Sequence, residues 1–140
     1  MCITSVAMSI QSEQLKERTM QFALDVLRLV DAFPRTTAAD VIARQVARSA
    51  TSVASNYRAT CNARSRAEFI AKLGIVVEES DESEFWLDMC LRKPLPGGSG
   101  TDRLRREAVE LRSIFAKSLG TARANARLAK SPNRNAQITR

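Results

Sequence analysis

The chain has 140 residues, of which 44% are apolar, enough to build one continuous core and therefore a single domain. Its 22 Lys and Arg against 15 Asp and Glu leave +7, a balance that favours a polyanionic partner. There is no histidine, so Ser–His–Asp and Cys–His catalytic sets and the commonest neutral metal ligand are excluded.

The charge is unevenly placed. Fifteen basic and fifteen acidic residues cancel between Met1 and Glu110, and residues 111–140 carry the whole excess through Arg112, Lys117, Arg123, Arg127, Lys130, Arg134 and Arg140. Any electrostatic partner is therefore expected at the C-terminal end. Residues 1–11 have no basic head and few apolar side chains, which reads as neither a signal peptide nor a membrane span; Met1 and Met8 are equal candidates for the start. Cys2, Cys61 and Cys90 are an odd number without a CxxC pair, which speaks against disulfides and zinc and for a reducing cytoplasm.

The first helix is expected over residues 13–33. Leu15, Phe22, Val26, Leu29 and Phe33 form one narrow stripe, and Met20, Ala23, Leu24, Leu27 and Val30 form a second apolar arc beside it. That is more apolar surface than two helical neighbours need, so self-association is expected. Pro34 ends the helix, because the residue before a proline avoids the helical region.

The second helix is expected over residues 40–58, with Asp40 as its cap and Ile42, Val46, Ser49, Val53 and Tyr57 as its core stripe. Ala43, Ala47, Ala50 and Ala54 make a small-residue ribbon that lets another helix approach. Ser65 followed by Glu68 is a capping box opening the third helix, which extends to Arg92. Phe69, Leu73, Val76, Leu87 and Leu91 line one face, with Ser80 and Ser83 at the intervening turns.

Residues 93–102, KPLPGGSGTD, read as a flexible loop. Thr101 or Asp102 is expected to cap the fourth helix, where Leu104, Ala108, Leu111, Phe115 and Ala122 keep the period to at least Asn125. No strand-like alternation occurs. The expected organisation is an N-terminal extension (1–12), an all-α, antiparallel up-down-up-down four-helix bundle (13–128) and a basic disordered tail (129–140).

Chemistry has little to work with. No GxxxxGK[ST] phosphate loop occurs, and the glycines at residues 97–100 precede no such lysine. Glu78, Glu79, Asp81, Glu82 and Glu84 invite a carboxylate-bridged metal pair, but the Glu-x-x-His motifs and facing glutamates that such a centre needs are missing. These acids are expected instead to pair with Arg44, Arg48, Arg58, Arg64 or Arg66, within the chain or across a subunit boundary. Trp86 and Phe85 read as packing residues, and Cys61 and Cys90 as inert thiols without a neighbouring base.

The candidates that remain are Arg112, Lys117, Arg123, Arg127 and Lys130, which can track a phosphate backbone, with Arg44, Arg48 and Arg58 as a second basic set. No aromatic follows Phe115, so base stacking is not expected within that basic stretch.

The segments RQVARSATSVASNYRA (44–59) and SRAEFIAKLGIVVEESDESEFWL (65–87), with the Phe33–Pro34 break, resemble the family called four helix bundle protein or 23S ribosomal RNA intervening-sequence protein, the S23 ribosomal protein family. It includes the accessory protein of bacterial diversity-generating retroelements. The resemblance covers residues 14–127; the glycine-rich 94–100 loop and the basic tail lie outside the shared pattern. It implies a four-helix protomer in a ring, commonly a homopentamer, without catalytic residues or cofactors. In the retroelement branch it implies a positive surface that engages RNA or DNA and a reverse transcriptase.

The expected function is thus a non-enzymatic, metal-free oligomeric accessory or scaffold, binding nucleic acid or a nucleic-acid-handling protein. The alternative is a purely structural or protein-interaction module.

Overall fold

The computed structural model describes the backbone of residues 2–131 and the side chains of residues 10–131. Four helices follow one another, α1 (Cys2–Asp31), α2 (Thr37–Cys61), α3 (Arg66–Arg92) and α4 (Thr101–Lys130), and no strand occurs among the described residues. The bounds differ from the expected ones at several ends. Neither the boundary at residue 12 nor the one at residue 128 coincides with a break, since α1 already begins at Cys2 and α4 continues to Lys130. Residues 132–140 of the expected tail lie outside the described residues.

Local chemistry explains the breaks. α1 closes with Ala32 and Phe33 donating to the carbonyls of Leu29 and Val30, both at 3.1 Å, immediately before Pro34. Thr36, not Asp40, caps α2: its hydroxyl accepts from the Ala39 amide at 3.2 Å, which places Asp40 inside the first turn. Ser65 caps α3 by accepting from the Glu68 amide at 3.0 Å, and the Glu68 carboxylate reaches back to the Arg64 amide at 2.9 Å.

α4 has no side-chain cap. Gly100 holds the capping position at φ +90°, and Thr101, buried, is the first helical residue, its hydroxyl donating back to the Gly98 carbonyl at 2.5 Å. The loop before it is seated on the bundle. A side chain at Gly97, which has φ +82°, would strike the backbone carbonyl of Ala32 at the end of α1.

The helices pack in sequence, α1 on α2, α2 on α3 and α3 on α4, with a lighter contact between α4 and α1. Neighbours run antiparallel, as the cross-links show: Ser49 meets Ser83, Arg112 meets Asp81, Arg66 meets Asn125, and Arg18 meets Glu107. The core holds Phe22, Val26, Val46, Val53, Leu73, Val76, Leu87, Leu111 and Phe115 among its members, with Tyr57 tilted against Phe115 at 4.9 Å between ring centres.

The expected stripe of α2 is buried throughout. On α3, Ser80 and Ser83 are buried as expected, while Cys90 takes the place given to Leu91, which is exposed. On α1, Leu15 and Phe33 are only half-buried, and Met20, Leu24 and Leu27 of the second arc face outward. Among the described residues, no helix is long and apolar enough to cross a membrane.

Candidate nucleic-acid interface

Antiparallel packing sorts the charges into three levels along the bundle axis. The middle level holds the acids of α3, and each arginine there is clamped. Arg48 of α2 reaches Glu79 at 3.4 Å and also Glu82. Arg112 of α4 reaches Asp81 at 3.0 Å and Glu84 at 2.9 Å. Arg18 of α1 forks onto Glu107 at 2.6 and 3.0 Å and touches Glu110 at 2.9 Å.

Of the arginines expected to neutralise the α3 acids, Arg48 does so within the chain, whereas Arg44, Arg58, Arg64 and Arg66 form no ion pair with them inside one protomer. Arg112, set aside for phosphate, fills that place instead.

The level holding the ends of α1 and α3 and the starts of α2 and α4 is largely self-neutralised. Asp25 takes Arg28 at 3.1 Å and Arg103 at 3.6 Å, Asp88 takes Arg92, and Asp102 takes Arg105 and Arg106. Arg35, Arg44 and Lys93 are the exceptions. Arg44 lies fourteen residues before Arg58 on α2, roughly 21 Å along the helix, so the second basic set is spread over the bundle rather than gathered in one patch.

The opposite end is different. The last turns of α4 and α2, the α2–α3 turn and the first turn of α3 meet there, and Arg58, Arg64, Arg66, Arg123, Arg127 and Lys130 are exposed, as is Lys117, which stands roughly 20 Å back along α4 from Lys130. None of the seven has a carboxylate within 4.0 Å of its charged group among the described residues, although the backbone amide of Arg64 is held by Glu68. Lys16 and Lys72, paired with Glu13 and Glu68, are the neutralised cations of this end.

Arg123, Arg127 and Lys130 follow one another at spacings of four and three and share the α4 face of Arg112, which looks toward α3; Lys117 lies on another face, toward α1. The sequence reading missed Arg64 and Arg66 as members of this group. Their signal was the topology itself, because a short α2–α3 turn in an antiparallel bundle must set the start of α3 beside the end of α4.

Other candidate chemistry finds no support in the geometry. No group of three metal-ligating side chains forms among the described residues. Burial pushes the Cys90 thiol up to about 11, against nucleophilic use. Burial, and then the neighbouring Cys61, hold the Tyr57 hydroxyl well above its ordinary range, so it stays protonated. Trp86 packs half-buried on the core and donates to Glu82 at 3.4 Å, while Phe85 stands 54% exposed and meets Trp86 edge to face.

The groove between α1 and α2 is lined by Met20, Leu24 and Leu27 against Thr51 and Ala54, with Glu17 and Arg58 at its rim. It is the surplus apolar surface expected from the second arc of α1.

Comparison with known proteins agrees with the fold. Residues 11–117 match the model of the family described as 23S rRNA-intervening sequence protein. The crystal structure of a protein of unknown function from the S23 ribosomal protein family of Bacteroides thetaiotaomicron superposes with a TM-score of 0.70 at 26% identity, over 78% of this chain and 97% of that one. No curated protein matches the chain.

Proposed function

The chain belongs to the 23S rRNA-intervening sequence protein family, and on that premise we propose that it is a non-enzymatic, cytoplasmic bundle that self-associates and binds RNA or DNA through its basic end. The observation that carries this reading is the contrast between the two ends. At one, most cations are neutralised by neighbouring carboxylates; at the other, the charged groups of seven cations, from α2, the α2–α3 turn, α3 and the second half of α4, have no carboxylate partner among the described residues. A surface of that kind attracts a phosphate backbone by counterion release, without reading sequence.

In a ring, commonly five copies by family resemblance, several such ends come together and the attraction multiplies. A reverse transcriptase or another nucleic-acid-handling protein is a further partner this assembly suits. The groove at Met20, Leu24 and Leu27 favours a second reading, a purely interaction-based module, because it offers apolar contact without any nucleic acid.

The deciding experiment is a binding titration at several salt concentrations with the intact chain and with Lys117, Arg123 and Arg127 changed to glutamine. The proposal expects weaker binding by the variant and a salt slope shallower by roughly 0.7–0.9 for each lost phosphate contact. Equal affinity and equal slope would remove these residues from the interface, and absence of binding by the intact chain would leave the interaction-module reading.

A further inference from the structure

The basic stretch of α4 lacks aromatic residues beyond Phe115, but the fold supplies one from elsewhere. Phe69, in the first turn of α3, is half-buried, packed against the core, and lines one hollow with Ala122 and Asn125 of α4. Together with Arg64 and Arg66 these residues bound a hollow of about 450 Å³. A second cleft of about 850 Å³, between α1 and α4, shares Phe69, Ala122 and Asn125 and adds Lys117 on its far wall. Arg66 donates to the backbone carbonyl of Asn125 at 3.4 Å, which ties the start of α3 to the last turns of α4 across the hollow. Tyr57 also reaches the larger cleft, yet it is buried with its ring against Phe115, whereas Phe69, packed on the core from one side, is only half-buried and is the aromatic surface on offer.

We propose that the basic end binds single-stranded nucleic acid, and that the hollow over Phe69 takes one unstacked base. This rests on the nucleic-acid reading above and extends it to a strand type and a base site. The Phe69 ring stacks on the base, a contact every base can make. The Asn125 carboxamide carries both donors and an acceptor and meets the polar edge of the base. Arg64, Arg66 and Lys117, on two sides of Phe69, neutralise the phosphates that lead into and out of the site. A duplex has its bases already stacked and paired, so it gains only the phosphate contacts. Charge complementarity selects this occupant, since the charged groups of Arg64, Arg66 and Lys117 have no carboxylate partner among the described residues and an apolar protein segment would leave them without one.

The test titrates one sequence as single strand and as duplex, in RNA and in DNA, with a fluorescent purine analogue in the single strand. Intact protein, Phe69→Leu and Asn125→Ala are compared. The expected result is tighter binding of the single strand than of the duplex, with quenching of the analogue on binding.

Phe69→Leu is expected to weaken single-strand binding about tenfold, within the range one aromatic–base stack contributes, and to abolish the quenching while duplex affinity stays unchanged. Asn125→Ala is expected to act in the same direction more weakly. It perturbs no core contact, so it keeps the test decisive if Phe69→Leu fails to fold. Unchanged single-strand affinity and quenching in the folded variants would overturn the base site while leaving the basic interface standing. Absence of nucleic-acid binding by the intact protein would remove both.

Discussion

Arg112 of α4 holds its guanidinium 3.0 Å from the carboxylate of Asp81 on α3, thirty-one residues earlier in the chain. Its other terminal nitrogen stands 2.9 Å from Glu84 Oε2, a buried oxygen that gains charge pairing there but no well-aimed hydrogen bond. The arginine is therefore a structural clamp between two helices.

Replacing Arg112 with glutamine is expected to destabilise the protein by about 1 kcal/mol, a loss moderated by solvent screening because the guanidinium is partly exposed. Urea unfolding measures it. Nucleic-acid affinity is expected to change less in this variant than in Arg127→Gln, whose guanidinium has no carboxylate partner among the described residues.

The crossing of α2 and α3 depends on small side chains. Ser49, Ala50, Ser80 and Ser83 are all fully buried there, and Ser49 and Ser83 meet hydroxyl to hydroxyl at 3.0 Å. Ser83→Leu is expected to cost about 1–3 kcal/mol by forcing the helices apart, whereas Ser83→Ala costs less than about 1.5 kcal/mol. Thermal unfolding of the two variants gives the comparison, and a stable Ser83→Leu protein would refute the close approach.

Two glutamates on one arginine are expected to act with opposite sign as pH falls. The hydrogen bond from Arg48 holds the Glu82 carboxyl below its ordinary value, so its contribution is present above that value and is lost as pH falls through the lowered one. Burial, and then repulsion from Glu82, raise the Glu79 carboxyl. Its charge therefore opposes folding at neutral pH, and the opposition fades as pH falls through the raised value. Glu82→Gln is expected to lower stability at neutral pH and flatten the acid limb. Glu79→Gln is expected to raise stability at neutral pH and steepen that limb. Urea midpoints across the carboxylate range settle both signs.

Self-association is expected to run through α1. Met20, Leu24 and Leu27 are 46%, 39% and 37% exposed, which is unusual for three apolar residues on successive turns. Leu24→Asp is expected to shift the protein to a 15.5 kDa monomer in light scattering while leaving helix content unchanged, because the side chain lies outside the core. A multimer that survives this substitution would place the contact elsewhere.

The sequence by itself determined the number of helices, most of their breaks and the inward face of α2. Those features rest on interactions within about four residues: the Ser65 hydroxyl with the Glu68 amide, the conformation forced before Pro34, and the recurrence of Ile42, Val46, Ser49, Val53 and Tyr57 on one side of a helix. It also determined that the excess charge follows Glu110.

The tertiary structure alone decided which of those charges are clamped by carboxylates and which have no carboxylate partner among the described residues. Arg112 and Arg127 are alike in sequence, but helix register puts an acidic stretch of α3 beside the first and Arg66 with the Asn125 carbonyl near the second. The same register brings Arg64, Arg66 and Phe69 to the end of α4. An ion pair across two helices depends on their relative height and rotation, and these are set by side-chain packing along the whole length of the bundle, which no local pattern encodes.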